Sequence, residues 1–157
     1  MNSSFQPERR VLLTDIRPTV FVIDDDPSVR RAIKRLVESV GPRVELLESA
    51  KEFLAASRPD VPSCLILDVR LPGMSGLAFQ SELAALGDRI PVIFITSHGD
   101  IPIAVRAMKG GAVEFLSKPF RDQDLLDSVQ LALEQDRGRR QQAADVAALR
   151  QRLASLT

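Results

Sequence analysis

The 157-residue chain is poor in the residues that staple or cage small proteins, with one cysteine and one histidine. Cys64 has no second cysteine, so an internal disulfide is excluded and no neighbouring thiol completes a metal site. Its place inside an apolar run marks it as a small core residue of a strand. Long hydrophobic runs are missing too: none approaches the roughly 18 residues needed to cross a bilayer. Residues 1–18 hold only Val11, Leu12 and Leu13 as a consecutive apolar group, too short for a signal-peptide core and followed by no small-residue cleavage pattern. A flexible leader and a cytoplasmic protein are expected. Neither charge sign is in excess, with 21 Lys+Arg against 21 Asp+Glu, so no nucleic-acid footprint stands out and these residues are not expected to touch DNA.

What is present is balance. Hydrophobic residues make up 45% and charged residues 27%, the proportions of one globular domain with a proper core rather than a disordered or membrane-embedded chain. Short apolar runs recur at Val20 to Ile23, Val44 to Leu47 (weaker), Cys64 to Leu67, Val92 to Ile95 and Val113 to Leu116. Continuous runs of this kind read as buried parallel strands. Helical patterns separate them. Val29, Ile33, Leu36, Val37 and Val40 share one face, with Asp26 and Pro27 at its start and Gly41 at its end. Ser49 and Glu52 form a capping box for a second helix that carries Phe53 and Leu54 inward. Ser75 can cap a third, Asp100 and Pro102 open a fourth closed by Gly110 and Gly111, and a fifth starts near Asp122 with Leu125, Leu126, Val129 and Leu133 as its stripe. Five successive strand-then-helix units imply an α/β fold: a doubly wound, five-stranded parallel sheet with helices on both faces.

In such sheets ligands sit beyond the carboxyl ends of the strands. There the sequence places Asp24-Asp25-Asp26 after the first strand, Asp68 at the third, Thr96-Ser97 at the fourth and Lys118-Pro119 just past the fifth. Carboxylates brought together repel unless a cation joins them. Hard oxygen donors in small number suit Mg²⁺, which prefers to share its shell with a phosphate. It would neutralise charge on a phosphoryl group attacked by Asp68, giving an aspartyl phosphate. Lys118 would hold one phosphoryl oxygen and the Thr96 hydroxyl another. Each residue has a plainer reading: Asp26 as a helix cap, Thr96 as a turn former, Lys-Pro as surface. Their occurrence together at four strand ends is what carries the inference.

These residues resemble the CheY-type receiver family from about Thr19 to Leu133. The segments Val-Phe-Val-Ile-Asp-Asp-Asp, Leu-Ile-Leu-Asp-Val-Arg-Leu-Pro-Gly-Met-Ser-Gly and Phe-Leu-Ser-Lys-Pro-Phe are similar to its three signature stretches. The run from Ile95 through His98-Gly99-Asp100 to Ala112 is similar to the FixJ-like subgroup. The resemblance implies a flavodoxin-like strand order of 2-1-3-4-5 and phosphorylation of Asp68 by a sensor histidine kinase. It assigns Mg²⁺ to Asp24 and Asp25, the second more directly, with Asp68 and the main-chain carbonyl of Arg70. Thr96 and Lys118 take the switch and phosphate-binding roles. Phe115 is the aromatic whose rotamer reports the switch; many members have a tyrosine there, so a hydroxyl is lost. The Lys118-Pro119 bond is expected to be cis. Arg70 and His98, each two residues beyond a site residue, would gate attacking water, with an exposed loop residue as the alternative for His98.

Members of the FixJ-like subgroup dimerise through the face of the fourth helix and fifth strand and carry a helix-turn-helix output domain. No such domain fits after residue 135. The division implied is a leader over 1–18, a receiver over 19–135 and a helical linker or dimerisation segment over 136–157. In that last segment Ala143, Val146, Leu149, Leu153 and Leu156 fall on one narrow seam. The expectation is a non-enzymatic phosphoacceptor, either part of a longer transcription regulator or a stand-alone receiver acting by protein contact. Two rivals remain: a haloacid-dehalogenase-like phosphatase using Asp24 and Asp26, and a receiver that works without phosphorylation. The short length and Pro27 weigh against the first, the intact set of acids with Thr96 and Lys118 against the second.

Overall fold

A computed structural model describes residues 17–97 and 100–156. Most of the expected leader therefore lies outside the described residues. The apolar runs form Thr19–Ile23 (β1), Arg43–Leu47 (β2), Ser63–Asp68 (β3), Val92–Thr96 (β4) and Glu114–Ser117 (β5). They pair in parallel in the order β2-β1-β3-β4-β5, as the family resemblance implied. Between them run Pro27–Glu38 (α1), Ala50–Ala55 (α2), Gly76–Ala85 (α3) and Ile101–Lys109 (α4), and Asp122–Ser155 (α5) follows the last strand.

The central strands β1, β3 and β4 are buried along their whole length, because both faces of the sheet are covered. Alternate residues go to two separate cores. Val20, Val22, Cys64, Ile66, Ile93 and Ile95 pack with Ile33 and Val37 of α1 and Leu125 and Val129 of α5. Phe21, Leu65, Leu67 and Phe94 pack with Phe53 of α2, Phe79 of α3 and Ala107 of α4. Phe53 meets Phe21 and Phe79 edge-on at centroid distances of 5.3 and 6.0 Å, a favoured ring geometry. The edge strands β2 and β5 are only partly covered, and each carries a glutamate within its apolar run.

The helix starts follow the chemistry expected of them. Asp26 caps α1 with Pro27 in the first turn, and Ser49, Ser75 and Asp100 cap α2, α3 and α4 through their side-chain oxygens. The box at α2 closes one residue early, since Glu52 accepts from the backbone N–H of Glu48 rather than Ser49. Two core expectations fail. Val40 lies past the end of α1 and is 58% exposed, and Leu54, on the outer side of the short α2, is 45% exposed. The last helix and the helical segment expected after residue 135 are continuous: α5 runs for 34 residues through Gly138. That glycine has open space around it and helical geometry, and favourable residues on both sides carry the helix past it.

Among the described residues, Gly76 is the one glycine whose missing side chain positions the site. A Cβ there would collide with the main-chain oxygen of Asp68 and crowd the Phe94 ring. The bare backbone lets α3 start directly beneath the end of β3, with the Gly76 N–H donating to the Val69 carbonyl at 2.6 Å.

Candidate functional site

The switch point of the sheet lies between β1 and β3, from which the chain winds outward in both directions. Asp24 directly follows β1 and Asp68 ends β3, so the topology alone brings both carboxylates to one crevice. Asp24 is fully buried, Asp68 is 7% exposed and Asp25 is exposed. Carboxylate oxygens of the three lie within 4.8 Å of one another.

Lys118, just past β5, reaches back across the sheet edge. Its ammonium donates to Asp24 Oδ2 at 2.9 Å and to Asp68 Oδ2 at 3.1 Å. The cis peptide bond expected between Lys118 and Pro119 is present. The remaining oxygens are held by backbone: Asp24 Oδ1 accepts from the Asp26 N–H at 2.8 Å, and Asp68 Oδ1 from the Arg70 N–H at 2.9 Å. Thr96, fully buried at the end of β4, accepts the Lys118 N–H at its carbonyl at 2.8 Å. It stands one residue beyond Ile95, the cross-strand partner of Asp68.

Burial pushes the Asp68 carboxyl above its ordinary value, and the nearby Asp24 charge adds to the rise against the pull of the Arg70 N–H and Lys118. Burial works against the Lys118 charge as well, but its hydrogen bonds to Asp24 and Asp68 outweigh it and hold the ammonium on. Among the described residues one ammonium bridges two of the three carboxylates, and the Arg30 guanidinium donates to the Asp24 main-chain carbonyl rather than to a carboxylate. Oxygen-only donors, partly open to solvent and short of positive charge, fit a hard divalent cation.

Phe115 of β5 is half-buried on the α4 side of the sheet, with its ring 6.2 Å from that of Phe94. Asp26 turns away from the cluster: its Oδ1 accepts from the Ser28 N–H and hydroxyl at 2.9 and 2.7 Å, which holds its carboxyl below the usual range. The Asp24 and Asp26 pair that a dehalogenase-type site requires is therefore not formed. Arg70 is exposed, with its backbone beside Asp68. His98 lies outside the described residues.

The response regulator receiver domain model matches residues 20–130. The chain belongs to the response regulator receiver family. The receiver is 61% identical over 131 residues to Nodulation protein W of Bradyrhizobium diazoefficiens, a match covering 83% of this chain and 58% of that protein. It is 44% identical over 145 residues to Response regulator protein TodT of Pseudomonas putida, covering 92% and 64%. The chain thus spans about six tenths of the length of the curated relatives it matches. Among solved structures, the response regulator StyR superposes with a TM-score of 0.84 at 50% identity, covering 90% of this chain and 71% of that one. FixJ-N superposes with a TM-score of 0.66 at 42% identity, covering 74% and 93%.

Two polar residues that organise the receiver were not singled out in the sequence. Gln80 is buried on α3 and its side-chain amide donates to the Ala107 carbonyl at 3.0 Å, tying α3 to α4. Asp136, 1% exposed, accepts from the Ser63 N–H at 2.8 Å, Arg139 Nη2 at 2.5 Å and Arg140 Nε at 2.8 Å. An aspartate followed by arginines three and four residues on was the available signal. Among the described residues no helix is long and apolar enough to cross a membrane.

Proposed function

We propose that this receiver takes a phosphoryl group on Asp68 from the phosphohistidine of a sensor kinase, in the cytoplasm and with Mg²⁺, and thereby controls self-association and a transcriptional output. The observation that carries the reading is the meeting of the Asp24, Asp25 and Asp68 oxygens within 4.8 Å, with the Lys118 ammonium between two of them. Mg²⁺ would be held by Asp24, Asp25, Asp68 and the Arg70 carbonyl, and when bound it supplies positive charge to the phosphoryl oxygens. Asp68 Oδ forms the bond to phosphorus as the bond to the donor nitrogen breaks. Lys118 leaves Asp68 for a phosphoryl oxygen, keeping its hold on Asp24. Thr96 turns its hydroxyl to another oxygen, Phe115 moves into the space released beside Phe94, and the α4 and β5 face changes shape. Arg70 and His98 flank the phosphoryl group and govern access of hydrolytic water.

The α4 surface is suited to homodimerisation. Ile101, Val105 and Met108 follow one another at helical spacing and are 79%, 44% and 44% exposed. The curated relatives support a transcriptional output, since FixJ of Azorhizobium caulinodans, 47% identical over 114 residues, bears the name transcriptional regulatory protein. The receiver contributes no direct DNA contact in this reading.

A small-molecule phosphodonor with Mg²⁺ should label the protein at one site, and Asp68→Asn should abolish labelling. Retention of label on Asp24 in that variant would instead mark a dehalogenase-type phosphatase. A protein that fails to label, and whose spectra and mass ignore Mg²⁺ with beryllofluoride, would be a receiver acting by contact alone.

A further inference from the structure

Only the first half of α5 packs on the sheet. The helix is 34 residues long, about 50 Å, and its buried positions stop at Asp136. Farther on, Val146, Leu149, Leu153 and Leu156 are 42%, 50%, 57% and 81% exposed. A stripe of this kind is ordinarily the tail of the core stripe, running on past the end of the domain. The helical wheel rejects that account. At about 100° per residue, these four side chains centre roughly a quarter to a third of a turn from Leu125, Val129, Ala132, Leu133 and Asp136. The outer half of the helix therefore carries an apolar face of its own.

Its spacing is that of a two-stranded seam. Steps of three, four and three residues put Val146 and Leu153 at a positions and Leu149 and Leu156 at d positions of a heptad, with β-branched Val at one a and Leu at both d. Charge sets the direction. Asp145 then occupies g and Arg150 the following e, the two positions that face each other between parallel, in-register helices. Each pair of helices would form that contact twice. Antiparallel seating of the same four residues would instead set Arg150 and Arg152 of one helix against those of the other. The root of the helix is fixed as well, because Asp136 ties it to the Ser63 N–H at 2.8 Å and Arg140 bridges Asp136 and Asp60.

We propose that residues 141–156 pair with the same segment of a second copy of this chain as a parallel, in-register coiled coil. This surface is separate from the α4 and β5 face and does not rest on phosphorylation of Asp68. Two heptads give weak association, so pairing appears at high concentration or when something else holds two copies together.

The test is sedimentation equilibrium of the unphosphorylated protein, without Mg²⁺ or phosphodonor, from about 10 µM to about 1 mM, where weak complexes populate. The average mass should climb towards twice the monomer value. Leu149→Asp should hold the protein at monomer mass with its thermal unfolding still cooperative, while Val105→Asp on α4 should leave the climb intact. Asp145→Arg should weaken association at least threefold, and adding Arg150→Asp to it should restore association. Val146→Cys should give an oxidatively linked dimer, since parallel helices bring the two thiols together and antiparallel ones hold them about 15 Å apart. Cys64 is buried and takes no part. A protein that stays monomeric throughout, an association removed by Val105→Asp, or a Val146→Cys variant that does not cross-link overturns the proposal. None of these outcomes bears on labelling of Asp68.

Discussion

The two ends of β3 hold buried carboxylates with opposite electrostatic settlements. At the carboxyl end, Asp68 shares a single ammonium with Asp24, and burial wins: its pKa rises. At the amino end, Asp136 is pressed by burial in the same direction, yet two guanidinium groups and the Ser63 N–H reverse it and its pKa falls. Both sites set a buried carboxylate among basic side chains and a backbone N–H at one end of the same strand. The difference lies in the ratio of positive charge to negative. Where two guanidinium groups converge on one buried acid, the cluster is a clasp that fixes a helix to a sheet. Where acids outnumber the lysine, the cluster is short of a cation and open to one, which is the condition for binding an ion and a phosphoryl group.

Removing a carboxylate should therefore have opposite consequences at the two ends. Asp136→Ala leaves the Ser63 N–H unmet and parts two partly exposed arginines from their acid, for a loss of about 2 kcal/mol. Urea unfolding monitored by circular dichroism measures it, and a loss under about 0.5 kcal/mol would mean the clasp is ornamental. A cation should matter only at the other end. Mg²⁺ at about ten times its dissociation constant should raise the unfolding free energy by about 1.4 kcal/mol. Asp25→Asn should lose most of that gain and Asp136→Ala should keep it. Equal responses in these two variants would show that the effect is general ionic screening and that the acidic trio has no special claim on the ion.

The reasons these two clusters were unequally legible are physical. The acidic end was readable because strand ends in a parallel sheet project to one edge, so Asp24, Asp68, Thr96 and Lys118 could be placed together from strand assignments alone. The clasp was not, because Asp136 meets Ser63 across 73 positions of sequence and no strand-end rule brings them together. Edges of elements were lost for a similar reason. Leu54 and Val40 carry the right residue type, but α2 is six residues long and α1 stops at Glu38, so neither helix turns them inward. Along α5 local propensity carries the helix on after its core has ended, and the buried positions stop at Asp136, close to where the composition changes after Gln135. Gln80 belongs with the clasp, since a polar residue within a helical stripe looks solvent-facing until its carbonyl partner on another helix is known.

The finest discrimination between the two ends comes from Asp68→Asn in the absence of Mg²⁺. Asp68 has a raised folded-state pKa, so the folded protein holds its proton more tightly than the unfolded chain, whose carboxyl titrates near 3.9. The favourable contribution is complete below that unfolded value and disappears as pH climbs through the folded one, leaving the ionised group a burden on the fold at neutrality. The amide removes the burden while Lys118 keeps Asp24 as its partner. Asp68→Asn should thus be more stable than the wild type at pH 7, and the gain should shrink as pH falls towards 4. Asp136 behaves in the reverse sense: its depressed pKa contributes stability above the unfolded value that is lost only as pH falls below it, through the folded pKa. Urea midpoints for the wild type and both variants at pH 7, 5 and 4 should show the Asp68→Asn gain shrinking while the Asp136→Ala deficit stays nearly constant. If Asp68→Asn were instead less stable at pH 7 without Mg²⁺, the receiver's acidic crevice would be a compensated structural cluster like the clasp, and its shortage of positive charge could not be what recruits the cation.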